Sequence, residues 1–237
     1  LNLDDIVEVY PIKKSFWLRT SGNFSLGMNY SKGSDVATLA FSGNLSYRKR
    51  KSLFSISWDN NNTYQADTLS ATNISLNLGA QRLLKKSWSA GLFLGGSQNS
   101  QLDVKLRINL GALGIRDIVY NKWNRYWVGA GLSVQRETPF DAGEEVTDMA
   151  GVVTTAWKVY KYTDPKVWVD SDISFIPYIT GDWRYRLNLN INPKVGVFSN
   201  DFQIGVKFYY TYDSKPSENA TSSFDWGINF ELSYSLH

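Results

Sequence analysis

Apolar and polar residues alternate with a period of two along almost the whole chain. Helical spacing nowhere lasts more than about a turn, so the pattern predicts strands throughout. In Gly22–Ser31 the apolar set is Phe24, Leu26, Met28 and Tyr30, and Asn23, Ser25, Gly27 and Asn29 hold the other face. Val104, Leu106, Ile108 and Leu110 oppose Asp103, Lys105, Arg107 and Asn109 in the same way. The clearest run is the last, where Phe224, Trp226, Ile228, Phe230, Leu232, Tyr234 and Leu236 alternate with Asp225, Gly227, Asn229, Glu231, Ser233 and Ser235. Successive strand side chains point to opposite faces, so each strand has one greasy face and one small, polar face. In Val152–Tyr162 the two parities compete, and Trp157 is placed on the greasy side.

About twelve such strands are expected, each near the ~9–11 residues of a tilted membrane-crossing strand. The connections alternate as well. Lys49–Lys51, Leu84–Ser87, Ile118–Asn124, Thr163–Pro165 and Pro193–Asn200 read as mostly short turns, and Asn60–Asp67, Glu137–Gly151 and Asp213–Ser222 as longer loops. The fold class is therefore all-β: a single antiparallel transmembrane barrel over residues 15–237. Both termini fall on the short-turn side, which is the periplasmic side in such barrels. Residues 1–14 read as a periplasmic lead-in or the tail of a small upstream β unit.

Composition decides which face is outside. Apolar residues make up 43% of the 237 residues, but no run approaches the roughly 20 apolar residues of a membrane helix. The polar face is rich in Ser, Asn and Gly, where a soluble barrel would present mostly Lys and Glu to water. Nine Trp and fourteen Tyr exceed what a soluble core of this size calls for, and both residue types settle at membrane–water boundaries. On the greasy parity they gather at strand ends: Tyr47, Trp88 and Tyr126 on the turn side, and Tyr30, Trp183, Tyr185, Tyr210, Tyr212 and Trp226 on the loop side. Two aromatic girdles around an aliphatic belt point to a bilayer. The absence of Cys suits passage through an oxidising periplasm.

The last strand carries Asp225, Gly227, Phe230, Leu232, Tyr234 and Leu236, a pattern similar to the C-terminal signal read by the barrel-insertion machinery. It departs from the commonest form in ending Leu236-His237 rather than in Phe. Two segments, Gly22-Asn23-Phe24-Ser25-Leu26-Gly27-Met28-Asn29-Tyr30-Ser31-Lys32-Gly33-Ser34 and Tyr212-Asp213-Ser214-Lys215-Pro216, resemble the YdiY-like salt-induced outer-membrane proteins, bacterial barrels of poorly defined role. The resemblance spans Phe16–His237. It implies fold and outer-membrane location, and it brings no catalytic residue.

Candidate chemistry is sparse. His237 is the one histidine, at the rim of the last strand, which argues against Ser–His hydrolysis and most imidazole acid–base work. Asp170 and Asp172 share an inward parity, as do Asp225 and Glu231. Inward Lys105, Arg107, Arg184, Arg186 and Lys207 are the expected partners of these carboxylates, because a charge in a narrow lumen needs one. Asp141, Glu144, Glu145 and Asp148 fit no calcium-loop spacing, and Arg48-Lys49-Arg50-Lys51 reads as a solvated turn rather than a nucleic-acid patch. No metal or cofactor is expected. The partners are membrane lipid, the insertion machinery and other outer-membrane proteins. The sequence thus favours a non-enzymatic barrel, either a narrow channel or an envelope component. An accessory subunit of a larger outer-membrane complex and a carboxylate-dependent barrel enzyme are the alternatives.

Overall fold

The computed structural model describes residues 16–31, 35–66, 68–140, 145–161, 163–180, 183–197, 201–217 and 219–236. A single 3-10 turn, Trp17–Arg19, leads into twelve strands: β1 (Thr20–Ser31), β2 (Val36–Arg48), β3 (Ser52–Gln65), β4 (Thr68–Leu83), β5 (Trp88–Asn99), β6 (Val104–Tyr120), β7 (Asn124–Pro139), β8 (Val146–Lys161), β9 (Val167–Pro177), β10 (Tyr185–Gly196), β11 (Phe202–Asp213) and β12 (Phe224–Leu236). Each pairs antiparallel with its neighbour in sequence, and β1 pairs with β12 from Gly22↔Leu236 to Gly27↔Glu231. Closure pairs the two terminal strands with each other over that stretch, in keeping with what the hydrocarbon of a bilayer demands of a sheet. The expectation of an antiparallel barrel of about twelve strands is met. Residues 1–14, read as a lead-in, lie outside the described residues.

The barrel is inside out relative to a water-soluble protein. Leu26, Leu92, Leu110, Val153, Phe230 and Leu232 are each more than half exposed on the outer face. The buried set is dominated by polar side chains, among them Ser25, Asn61, Arg107, Gln135, Arg186, Asp213, Asn229, Glu231 and Ser233. Exposed Leu, Ile and Phe in water would forgo about 25 cal/mol for every Å² of apolar surface, and a lipid environment removes that cost. Trp157 is 52% exposed on this face.

The alternation shifts where the ladder does. A bulge between Val104 and Leu106 turns Val104 inward to 1% exposure and leaves Lys105 exposed, the reverse of the parity read for these two residues. A bulge adds one residue to one strand, so every parity before it flips. A second bulge between Asp117 and Val119 leaves Ile118 and Val119 both exposed.

Two ends of the barrel can be named by their connections. The turn end carries the β2–β3, β4–β5, β6–β7, β8–β9 and β10–β11 links, and the loop end carries the rest. Lys49–Lys51 and Leu84–Ser87 are turns as read. Two of the three expected long loops are shorter: β3 continues through Asn60–Gln65 and β4 starts at Thr68, and β7 runs to Pro139 before β8 resumes at Val146, whereas Asp213–Ser222 agrees with the link from β11 to β12. The Asn60-Asn61-Asn62 run looked like loop because all three are polar, yet Asn61 is buried in the barrel, donating to Asp59 and accepting from Asn229. The turn end is cationic. It holds Arg48–Lys51, Lys85 and Lys86, Lys122, Lys161 and Lys166, with Arg82 and Arg116 on outward strand positions beside them. Among the described residues the opposing carboxylates there are Asp164 and Asp201, apart from Asp117, which pairs with Arg125 at 2.9 Å.

Candidate functional site

The lumen is the candidate site, and its geometry follows from which strand positions point inward. Near the loop end, inward side chains of β6, β7, β10 and β11 converge with Tyr178 and Arg184 of the β9–β10 connection. Arg107 meets Glu137 at 2.6 Å and Asp213 at 3.7 Å. Arg184 donates to Asp213 from Nε and Nη2, at 2.8 and 2.5 Å, and to Glu137 at 3.2 Å. Arg186 donates to Gln135 Oε1 at 2.8 Å. The guanidiniums of Arg184 and Arg186 lie 4.7 and 5.6 Å from the Tyr178 ring centre, within cation–π range. Burial disfavours the Arg184 charge more than any single neighbour favours it, but the Asp213 hydrogen bond and the nearby Tyr178, Glu137 and Asp213 groups together outweigh it and hold the guanidinium above its ordinary pKa. The Tyr178 phenol is raised by burial, against the pull of the neighbouring arginines. Three guanidiniums share two carboxylates here, so the cluster keeps one excess positive charge.

Deeper in the barrel the contacts span the lumen. Lys207 on β11 pairs with Asp59 on β3. Asn229 on β12 donates to Asn61 on β3 at 2.7 Å, and Glu231 accepts from Asn192 and Ser42. At the level of the loop-end cluster, Asp225 near the start of β12 accepts from Asn73 and Asn99, at 2.9 and 2.8 Å. Toward the turn end, Lys158 meets Asp170 at 3.1 Å and Asn190 donates to Asp172 at 2.9 Å. Between these layers lies a cavity of about 490 Å³ lined mainly by Asn, Ser and Gly, with Asp59, Arg107, Lys158, Asp170, Asp172, Arg186, Lys194 and Lys207 among its walls. Aromatic rings fill the space that inward glycines leave: Phe93 at Gly111 and Tyr209 at Gly227.

The loop end is roofed. The β11–β12 loop crosses to the β5–β6 loop, half-way round the twelve-strand ring. Ser217 Oγ donates to Asp103 Oδ2 at 2.6 Å and Ser222 N to Gln101 O at 3.3 Å. The other Asp103 oxygen accepts from Phe140 N. Beneath this latch Leu102 and Val104 are each 1% exposed.

Of the inward charges read from the sequence, Arg107, Arg184 and Arg186 come together, Lys207, Asp225 and Glu231 take contacts that skip strands, and Asp170 and Asp172 meet the facing Lys158 and Asn190 of adjacent strands. Lys105 is exposed and stands apart from the cluster. The sequence reading missed Asp59, Glu137, Lys158, Lys194 and Asp213. Glu137 and Asp213 had been assigned to loops, although Gln135 and Glu137 continue one parity of β7, and Tyr209, Thr211 and Asp213 one parity of β11. Glu145 accepts from Arg136 and Thr138, and Asp148 from Thr180. Asp141, Glu144 and His237 lie outside the described residues, and among those described no cluster of three metal-ligating groups forms.

At the rims, Phe16, Tyr47 and Phe54 stack in series at the turn end, and Phe202 meets Tyr234. Trp88 is 46% exposed with Arg116 over its ring, and Tyr126 is half-buried. At the loop end Tyr185 contacts Phe175 and Tyr212, Tyr210 stacks on Phe224, and Trp183 and Trp226 are exposed. The Tyr30 side chain lies outside the description. Phe24, Phe41 and Trp58 form a further aromatic group within the belt itself. On β12, Gly227 lies inward beneath Tyr209, whereas Phe230, Leu232, Tyr234 and Leu236 are exposed on the outer face.

Residues 24–236 match the model of a family described as a protein of unknown function, DUF481. The chain belongs to the DUF481 family. No curated protein sequence matches it. Among solved structures, the NanC porin superposes on this DUF481 barrel with a TM-score of 0.56 at 9% identity, covering 90% of this chain and 99% of that one. The KdgM porin, solved in complex with disordered oligogalacturonate, gives 0.46 at 8% identity over 92% and 99%. The translocator domain of the autotransporter NalP from Neisseria meningitidis gives 0.43 at 13% over 92% and 86%. The closed twelve-strand barrel with an apolar exterior is thus an outer-membrane porin-like fold in contact with membrane lipid.

Proposed function

We propose that this barrel is a narrow channel for small hydrophilic solutes, non-enzymatic, whose loop end is constricted by the β11–β12 loop. The observation that carries this reading is the polar cavity of about 490 Å³ inside a closed apolar-faced wall, which offers a solute hydrogen bonds of both senses and charges of both signs. A barrel serving only as an envelope strut has no need of such a wetted path. Twelve strands leave far less free width than the wide porins, so small solutes are the class that fits. Asp170 and Asp172, on which a carboxylate enzyme would rest, are engaged by Lys158 and Asn190, which supports a structural part for them. The turn end is assigned to the periplasm, as short turns are in bacterial barrels.

Planar-bilayer recording tests the proposal. The intact protein should give small discrete conductance steps, and removal of residues 216–222 should enlarge them by freeing the mouth. Absence of current at any potential, from intact and shortened protein alike and with both shown folded by heat-modifiable mobility, overturns the channel.

A further inference from the structure

We infer that the outer face of β4–β6 at the turn end is a docking site for one anionic phospholipid, with an acyl chain in a groove and its phosphate held by Arg82 and Arg116. The groove, of about 540 Å³, exists because small residues occupy successive outward positions where neighbouring strands carry Leu, Phe or Trp. Ala80, Ala90, Ala112 and Gly114 line it together with Phe54 and Leu92. At Gly114 the nearest atom to an added Cβ would be the Ala130 carbonyl oxygen at 3.8 Å, an ordinary contact, so no close backbone approach demands glycine there.

The register fixes what stands at the groove's end. Arg82 pairs with Ala90 across β4–β5, and Ala90 with Gly114 across β5–β6. One step nearer the turn end, Trp88 pairs with Arg116, whose guanidinium sits 5.5 Å from the ring centre. Two exposed guanidiniums therefore flank an interfacial tryptophan where a headgroup phosphate would lie. No carboxylate among the described residues forms an ion pair with either. Guanidinium presents a planar fork of donors suited to phosphate, and tryptophan settles at headgroup level. The surrounding turn-end collar of Lys and Arg extends the same field round the rim. Charge complementarity thus selects an anionic lipid over a zwitterionic one. The site stands independently of conductance, and rests on the turn end facing the phospholipid leaflet.

Native mass spectrometry of the whole barrel tests this, with phosphatidylglycerol and phosphatidylethanolamine of identical chains supplied in the micelle. Phosphatidylglycerol should be retained in preference, as one molecule per barrel. Each of Arg82→Gln and Arg116→Gln should lower that retention about fivefold, the share of one cation at an anionic surface. Ala112→Leu, which fills the groove, should abolish retention of both lipids, and Lys161→Gln, on the collar at the end of β8, should leave it unchanged. Equal retention of the two lipids, or loss with Lys161→Gln as large as with Arg82→Gln, overturns the site. So does stronger retention of lipopolysaccharide than of phosphatidylglycerol, or a dimer that Ala112→Leu dissociates. Heat-modifiable mobility confirms that each variant is folded before it is compared.

Discussion

Asp213 is the keystone of the loop-end cluster, and replacing it with Asn is the sharpest test of how dry that cluster is. The side chain is 1% exposed and receives two hydrogen bonds from Arg184, at 2.8 and 2.5 Å, with Arg107 at 3.7 Å. Asn keeps the volume and one acceptor oxygen but removes the charge. Three guanidiniums are then left facing Glu137 alone. Breaking a buried pair by removing one partner costs roughly 3–5 kcal/mol. Arg184 can still reach Glu137 at 3.2 Å, so the loss belongs at the lower end, about 3 kcal/mol.

Urea unfolding of the barrel in lipid vesicles, followed by tryptophan fluorescence, reads this out. With a urea slope of about 2–3 kcal/mol per molar, the midpoint falls by roughly 1–1.5 M. A cycle with Arg184→Leu and Asp213→Leu separates the pair from its surroundings. Because the charged pair is costly to desolvate, the double substitution should recover most of the loss suffered by either single one. A loss under about 0.5 kcal/mol for Asp213→Asn, with no coupling in the cycle, is the value of an exposed, screened ion pair. That result would refute a dehydrated loop-end cluster.

Three further outcomes follow from the same geometry. Phe230→Arg, at a position 61% exposed midway along β12, should destabilise the barrel by about 2–4 kcal/mol in vesicles, and an unfolding midpoint equal to the parent's would place that face away from lipid. Gly111→Val should cost about 1–3 kcal/mol through overpacking against the Phe93 ring, whereas Gly114→Ala, whose Cβ meets only an ordinary contact with the Ala130 carbonyl at 3.8 Å, should leave the unfolding midpoint near the parent's. The hydrogen bond from Arg136, and then its charge, hold the Glu145 carboxyl below its ordinary pKa. A lowered folded-state pKa means the contact is fully present above the ordinary glutamate range and is released as pH falls through the lower value. Carboxyl NMR should show that lowered midpoint, and Arg136→Gln should return it to the glutamate value.

Strand number, closure and the greasy face were legible because one face of each strand is uniformly apolar, as in Phe224–Leu236. Legibility failed where that contrast weakens. On β8 the inner face carries Ala150, Val152 and Ala156, all buried, so both parities look apolar and only the exposed Trp157 marks the outside. On β3 the outward Asn60 and Asn62 flank the inward Asn61, and a strand was read as a loop. At Val104 a bulge inverted the pattern, and no local signal announced it. The cross-lumen pairs were illegible for a different reason. Lys207–Asp59 and Asn229–Asn61 join strands distant in sequence, and inward parity says that a residue faces the lumen without saying which residue of the opposite wall it meets.

The distribution of small residues explains how a barrel of twelve strands keeps a path and still stays rigid. Ser, Gly and Asn cannot fill the interior alone, so the wall holds width where they predominate, around the cavity between Asn77, Ser97 and Asn109. Where long side chains take their place, they reach the opposite wall and lock it. The arginine cluster and the Asp103–Ser217 latch both do this at the loop end. In the proposed channel, a solute entering from the turn end would first pass Lys158 and Asp170, then the amide-lined cavity, and last the cluster with its excess positive charge. Passage at that last step requires either a rearrangement of Arg184 and Asp213 or displacement of the β11–β12 loop. Among the described residues the second breaks two contacts with the opposite loop, those of Ser217 and Ser222, at roughly 0.5–1.5 kcal/mol per neutral bond and up to about 3 for the one to charged Asp103. Breaking the buried ion pairs costs more. Opening therefore proceeds through the loop, and conductance should respond to Ser217→Ala more strongly than to any single change among the arginines.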